Sequence, residues 1–332
     1  MGRTCLAIVC LLCHAIALSA HHSAAQFDPT SPVTIQGTVT RVDWTNPHVY
    51  IYVETKAANG AAERWMIETD ATPILTRSGW SRESVKVGAT VTVRASPDRN
   101  RTRNHALLVS LSTGTGPVLV ARAPAARTTV RATSVAGVWN SLRGFGQRRF
   151  GTLKPTAKGL AAMNAFNEAA SPIAECVPHV APQLPTLPYL TAIDVRDDRI
   201  IMRSEFFNVD RTVYMDGRPH PRDGMRTRQG HSVGRWEGGV LVVDTVLFAD
   251  HRVGNSFGSA FAAGLPAGSQ KHVVERYRLS EDGTRMLIDF LVEDPEYLAE
   301  PITASAEWDY VPQQRLQRFG CEPEQARRFT FQ

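Results

Sequence analysis

The stretch from Gly217 to Thr245, GRPHPRDGMRTRQGHSVGRWEGGVLVVDT, holds the residues of this chain best suited to acid–base chemistry. His220 and His231 flank an arginine-rich loop, and Asp244 lies at the end of the strand expected after it. Across a tight hairpin, His231 and Asp244 are predicted to lie on neighbouring strand ends within hydrogen-bonding distance. A histidine held by a carboxylate can act as a general base or a metal ligand, because its pKa can be tuned around neutrality.

Glu275 is a second candidate for proton transfer. In the segment VVERYR it alternates with Val273 and Tyr277, so these three side chains are predicted to share one face of a strand. If that face lines a barrel interior, the apolar surroundings would raise the pKa of the carboxyl group and suit it to act as a general acid. An ion pair with Arg211 or Arg278 on an outer face is the structural alternative.

A ligand-binding interpretation uses the same part of the chain. Tyr214, His220 and Trp236 are predicted to contact a small, partly apolar molecule together with the acid–base residues. The alternatives are structural. His231 and Ser232 would cap a strand, and Trp236 would close one end of a barrel.

Two adjacent histidines stand at the start of the soluble chain, in LSAHHSAAQFD at residues 18–28. If cleavage after Ala20 frees the amino group of His21, that amine and the imidazoles of His21, His22 and His48 could chelate copper, since such nitrogens favour Cu(II). Cleavage after Ser19 fits the small-residue rule equally well. A flexible polar start, with His48 facing solvent, is the alternative.

The leader determines the predicted compartment. Arg3 precedes the apolar run LAIVCLLCHAIAL at residues 6–18, and small residues follow it, as in a secretory signal peptide over residues 1–20. The run is too short to span a bilayer, and no later segment reaches the ~18 consecutive apolar residues that a membrane helix needs. We therefore expect a periplasmic or secreted bacterial protein without a transmembrane segment after cleavage.

Charge and cysteine usage fit an exported globular protein. The 332 residues carry 37 lysines and arginines against 32 acids, a net charge of +5, and the arginines are scattered rather than gathered into a nucleic-acid-binding patch. After the leader only Cys176 and Cys321 remain, and an oxidising compartment predicts one disulfide between them. Two free buried thiols are the alternative.

Alternating apolar and polar residues predict a mostly β fold with two domains. Residues 21–113 contain five strand candidates and one short helix over residues 71–80, which suits a small OB-like barrel. Residues 114–134 have the Ala-, Thr- and Pro-rich composition of a linker.

Residues 135–332 are predicted to form an antiparallel meander that closes into a barrel. One helix is expected within residues 154–172, where apolar residues recur at helical spacing. Turn pairs between the strand candidates favour hairpins. These pairs are Asp216-Gly217, Gly238-Gly239 and Asp282-Gly283.

The first part of the chain resembles a family of small exported bacterial domains of unknown function. Its members open with HHS and continue with a segment like GTVTRVDWTNPH. Both motifs lie between residues 21 and 112 here, with RSGWSRESVKVGATVTV behind them. The resemblance implies a periplasmic, OB-like module and brings no known activity.

The pieces YMDGRPHP, GHSVGRWEGGVLVVDT and HVVERYR resemble a second uncharacterised module of exported bacterial proteins. Its middle motif usually reads GHSxGxWEGDTLVV, and this chain has Gly239 where the aspartate is usual. The resemblance therefore implies no role for an acid at that position. By analogy with this module, we expect a lipocalin-like ligand barrel.

Together these features predict an exported two-domain β protein that binds a small molecule or an envelope protein. Two other classes stay open. One is an envelope enzyme that uses His231 with Asp244 or Glu275 for proton transfer. The other is a copper-binding protein that uses the N-terminal histidines. No nucleic-acid partner is expected.

Overall fold

The computed structural model describes residues 26–57, 59–123, 128–141, 149–167, 171–256 and 264–327. The fold is mostly β, as predicted, with two closed barrels of five and nine strands and three short α-helices in these ranges. The strands of the first barrel are β1 (Val33–Asp43), β2 (Tyr50–Lys56), β3 (Ala62–Glu68), β4 (Thr90–Pro97) and β5 (His105–Ser112), and β6 (Leu119–Val120) pairs with β5.

The first barrel has the strand order of an OB fold. β1 lies between β2 and β4, and parallel pairing of β3 with β5, where Met66 faces His105, closes the sheet. Along β4 the side chains of Val91 and Val93 point inwards and are buried, while Thr92 between them is exposed. This alternation is the pattern from which the barrel was predicted.

A single helix, α1 (Thr72–Arg77), connects β3 to β4 within the predicted helical segment. The side-chain oxygen of Asn46 accepts the backbone N–H of Thr72 at 2.8 Å, so the TNPH motif caps this helix. Gly79 follows the helix with a φ of +89°, a conformation that favours glycine.

The second barrel consists of β7 (Gly137–Asn140) and eight further strands. β7 lies between the first and last of them and closes the barrel. The eight strands are β9 (Leu190–Val195), β10 (Arg199–Ser204), β11 (Val209–Tyr214), β12 (His231–Glu237), β13 (Val240–Val246), β14 (His272–Leu279), β15 (Arg285–Glu293) and β16 (Ile302–Tyr310). The two-residue strand β8 (Arg149–Phe150) pairs with another part of β16.

One strand pair of this barrel differs from the predicted meander. β11 and β12 run parallel, with Val213 opposite Ser232. The hairpin predicted at Asp216-Gly217 is therefore wrong, because residues 215–230 cross back along the barrel before β12 begins. The other two predicted turns do join antiparallel neighbours, β12 with β13 and β14 with β15.

Two segments differ in extent from their predictions. α2 (Ala157–Asn164) is shorter than the predicted span 154–172, and it begins where Thr156 accepts the N–H of Gly159 at 3.0 Å. Within the predicted linker, β6 is held on the first barrel, because Trp80 Nε1 donates to the carbonyl of Val120 at 2.8 Å.

The two barrels meet at an apolar cluster, which we call the joint. Its buried members are Ala71, Ile74, Leu187, Tyr189, Phe206 and Phe319. Beside it, Arg77 of the first barrel donates at 2.8 Å to Glu205 of the second, whose side chain is fully buried.

The predicted disulfide between Cys176 and Cys321 is confirmed. It ties the C-terminal segment to the loop before β9, just ahead of α3 (Pro323–Arg327). Asn46 of the first barrel pairs with Cys321 through an isolated β-bridge. The bond therefore fixes a segment that contacts both barrels.

Candidate functional site

Five titratable side chains form a continuous hydrogen-bonded network on the outer face of the second barrel. Nδ1 of His220 lies 2.8 Å from Nδ1 of His231, and its Nε2 lies 3.0 Å from Oδ1 of Asp244. The same Oδ1 lies 3.1 Å from Nε2 of His272, whose Nδ1 lies 2.9 Å from Oε2 of Glu293. We call these five residues the histidine network.

Strand alternation places the network outside the barrel. Ser232, Thr245 and Val273 point inwards and are at most 1% exposed, so the network residues beside them in sequence point outwards. His220 reaches the network from the crossing segment 215–230. The side chains of His220 and Glu293 are 22% and 44% exposed, so the network is open to solvent without being fully hydrated.

Mutual hydrogen bonds set the charges of the network. The hydrogen bond to Asp244 raises the pKa of His272 to about 9, with a further contribution from Glu293. In turn, hydrogen bonds from His272 and His220 lower the pKa of Asp244. Burial and neighbouring positive charge lower the pKa of His231. At neutral pH, therefore, His272 is protonated, Asp244 is ionised and His231 is neutral.

The order of the protons depends on these charges and on the state of His220. The ionised carboxylate of Asp244 only accepts, so it receives N–H groups from both His272 and His220. When His220 is neutral, its Nδ1 carries no proton and accepts a hydrogen bond from the N–H at Nδ1 of His231. When His220 is protonated, both of its ring nitrogens donate, and Nδ1 of His231 accepts instead. With His220 neutral, Nε2 of His231 therefore carries a lone pair, which makes it a hydrogen-bond acceptor or a base.

Tyr214 packs against the ring of His231. Its ring stacks on His231 with centroids 5.2 Å apart and an interplanar angle of 25°. The guanidinium carbon of Arg218 lies 4.1 Å from the centre of the Tyr214 ring, and Asp216 pairs with the same arginine. The contacts of Tyr214 therefore hold the ring of His231 in place and keep a positive charge near it.

The structure brings most of the predicted residues of this region together. His220, His231, Asp244 and Tyr214 are neighbours, but His220 stands between His231 and Asp244, which were expected to pair directly. The sequence prediction missed His272 and Glu293. The available signal for His272 was the alternation in HVVERYR, which places this histidine on the face opposite Glu275.

Glu275 and Trp236 lie elsewhere. Glu275 is inside the barrel and fully buried, on the face that it was predicted to share with Val273 and Tyr277, and it accepts from Arg211 and, at 2.8 Å, from the hydroxyl of Tyr277. The ion pair with Arg211 exists, but it lies in the interior and not on an outer face. Trp236 is 48% exposed near the last residues of β12. Neither residue reaches His231, because one faces inwards and the other lies five residues further along the strand.

His48 belongs to a separate cluster in the first barrel. Its Nδ1 lies 2.7 Å from the carbonyl of Thr69 and 3.1 Å from Oε1 of Glu68. The other oxygen of Glu68 lies 3.2 Å from Nε2 of His105. Burial alone would raise the pKa of Glu68, but the charge of His48 and the hydrogen bonds of both histidines lower it to about 2.

The described residues do not test the copper hypothesis. His21 and His22 lie outside the described residues, and His48 has the partners given above. Within the described ranges, no group of three or more His, Cys, Asp or Glu side chains is arranged to hold a metal ion. Copper binding through His21, His22 and His48 stays a prediction.

Comparison with known proteins supports an uncharacterised domain in the first part of the chain. Residues 8–106 match a family of unknown function, DUF6152. No curated protein matches the chain. In the part of the chain that the structure describes, no helix is both long enough and apolar enough to cross a membrane.

Two solved structures show weak similarity. An SAHS protein from Ramazzottius varieornatus is 13% identical, with 54% of this chain and 97% of that chain covered, at a TM-score of 0.27. A thermostable family-43 glycoside hydrolase is 9% identical over 89% of this chain and 96% of that chain, at a TM-score of 0.15. Scores this low imply nothing about the function of this protein.

Proposed function

We propose that this chain is an exported envelope protein that binds a small molecule at the histidine network. The observation that supports the proposal is the Nδ1–Nδ1 contact between His231 and His220, which, with His220 neutral, leaves Nε2 of His231 as an acceptor. A ligand with an O–H or N–H donor on a planar group fits this arrangement. Inside the barrel, Trp139, Tyr277 and Phe290 are packed side chains of the core. A site on the outer face is consistent with this packed interior.

Export rests on the leader and on the disulfide, which is typical of oxidising compartments. The measurement is the intact mass of the protein recovered from a periplasmic fraction. We expect a mature chain that begins at Ala20 or His21. A full-length chain confined to the cytoplasm would contradict export.

A second candidate function is acid–base catalysis, and the connection from His231 through His220 to Asp244 favours it. When Nε2 of His231 accepts a proton, its Nδ1 proton can move to Nδ1 of His220. The positive charge then lies beside the carboxylate of Asp244, which stabilises it. An enzyme would therefore use His231 as a general base.

The binding proposal is tested by NMR of the histidine rings during titration with a panel of small alcohols, phenols, amines and sugars. We expect compounds that bind to shift the ring signals of His231 and His220. His48 and His105 in the first barrel serve as internal controls. The proposal would be overturned if no compound of the panel shifted the signals of His231 and His220, or if compounds shifted only the signals of His48 and His105.

His231→Ala separates the two candidate functions. A binding protein should lose about tenfold in affinity or less, since one hydrogen bond contributes about 1 kcal/mol. An enzyme that uses His231 as its base should lose about 10² to 10⁴ in rate. Arg94→Gln, at an exposed position of the first barrel, is the matched control.

A further inference from the structure

A groove of about 510 Å³ lies on the outer face of β14, β15 and β16, and residues of β8 form one of its walls. Val274, Leu291 and Thr303 line the groove from three adjacent strands, and Phe150 of β8 adds an aromatic ring. Its volume falls within the ~300–1,000 Å³ typical of small-molecule sites. The groove is large enough for a ligand with a substantial apolar body.

The groove is continuous with the histidine network. Val274 pairs with Asp244 on one side and with Leu291 on the other. His272 is the preceding outward-facing residue on β14, so it lies beside Val274 on the same surface. The network therefore begins on β14 itself, two residues before Val274, and continues on the neighbouring strand at Asp244.

The charged residues that line the groove lie on the side away from the histidine network. Arg276 and Asp289 both line the groove, but they pair with Glu237 and Arg278 respectively. Arg149 of β8 makes no ion pair with any residue that the structure describes. A free guanidinium at the edge of an apolar groove suits a carboxylate, which it can bind through two parallel hydrogen bonds.

We propose that the groove binds an elongated monocarboxylate. Its carboxylate pairs with Arg149, its apolar body covers Leu291 and Val274, and its other end stops at Val274 beside the histidine network. Three strand spacings separate β8 from β14, about 14 Å, so the ligand must be extended rather than compact. The inference rests on the proposed function, because it names the chemistry of the molecule that reaches the histidine network.

Calorimetric titration of the mature protein with decanoate tests the proposal, with decanol as the uncharged comparison. We expect decanoate to bind and Arg149→Gln to weaken it about tenfold while leaving decanol unchanged, because only the charged head group is affected. Leu291→Ser should weaken both compounds, and Arg94→Gln should change neither. An absence of decanoate binding, or equal affinity in Arg149→Gln, would overturn the proposal.

The ring signal of His272 reports whether the groove and the network form one site. A shift on addition of decanoate supports this continuity, and an unmoved signal would overturn it. Failure of the proposed function is distinguishable, because it is measured at His231 and His220 with the panel of hydrogen-bond donors. Decanoate affinity is measured by heat and does not depend on those signals.

Discussion

His220 is the residue on which the order of the network depends. Its ring contacts both His231 and Asp244, and it comes from the crossing segment and not from a strand. Because one ring nitrogen accepts and the other donates, it connects the carboxylate of Asp244 with an imidazole that the carboxylate does not contact. The chemistry of His231 is therefore set by a residue two contacts away from it along the network.

Asp244→Asn tests the electrostatic part of this network. The variant removes the carboxylate whose hydrogen bond, with a smaller contribution from its charge, raises the pKa of His272 to about 9, so that pKa should fall towards its ordinary value of 6.5. A raised pKa adds stability that is complete below pH 6.5 and is lost as the pH rises through about 9, so this contribution should shrink in the variant. NMR titration of the ring measures the pKa. Asp289→Asn, on the same outer face, is the control, and an unchanged pKa in Asp244→Asn would refute the assignment.

The Glu68–His48 pair predicts a pH dependence for the first barrel. The lowered pKa of Glu68, about 2, adds stability above its ordinary value of 4.5 that is lost as the pH falls towards 2. Burial opposes protonation of His48, but the charge of Glu68 outweighs burial and raises the pKa of His48. The stability that His48 adds is therefore complete below pH 6.5 and is lost at higher pH. Amide hydrogen exchange in β2 and β3 should be slowest between pH 4.5 and 6.5 after correction for intrinsic rates. Glu68→Gln should flatten this profile, and identical profiles would count against the pair.

At the scale of elements, strand alternation accounts for what the sequence could predict. It predicted both barrels, the face that Glu275 shares with Val273 and Tyr277, and the strand positions of His231 and Asp244. The parallel pairing of β11 with β12 was not predictable, because Asp216-Gly217 has the turn chemistry of a hairpin and a parallel crossing leaves no comparable local pattern. The contact of His272 with Glu293 depends on strand register, which is determined by the complete sheet.

The interior of the second barrel depends on a buried ion pair. Arg211 and Glu275 are both almost fully buried, so removing one partner leaves an uncompensated charge. Arg211→Met should lower the free energy of unfolding by about 3–5 kcal/mol. The double variant Arg211→Met/Glu275→Leu should recover most of this loss. Denaturant unfolding measures both effects, and a single variant as stable as the wild type would disagree with the structure.

At the scale of the whole molecule, the joint makes the two barrels one assembly. Ile74, Phe206 and Phe319 come from distant parts of the sequence and pack into one apolar cluster. Sequence patterns predict two barrels because each barrel has its own alternation. They do not predict the joint, since its members occur in a helix, a turn and a C-terminal segment with no shared period.

The disulfide should stabilise this assembly. It connects residues separated by 145 positions, so the chain-entropy model predicts that Cys176→Ser/Cys321→Ser lowers the free energy of unfolding by about 2–5 kcal/mol. A reducing agent should have the same effect on the wild type and none on the variant. Guanidinium unfolding measures the difference. Equal stability of the oxidised and reduced proteins would contradict the prediction.

The tautomer of His231 is the most direct test of the proposed site, and ¹⁵N NMR of the imidazole nitrogens measures it at neutral pH. We predict a proton on Nδ1 and none on Nε2, because His220 accepts from Nδ1. His220→Phe, which removes that acceptor, should abolish the preference. A wild-type His231 that carries its proton on Nε2 would contradict the proton order, and with it the acceptor on which the proposed function depends.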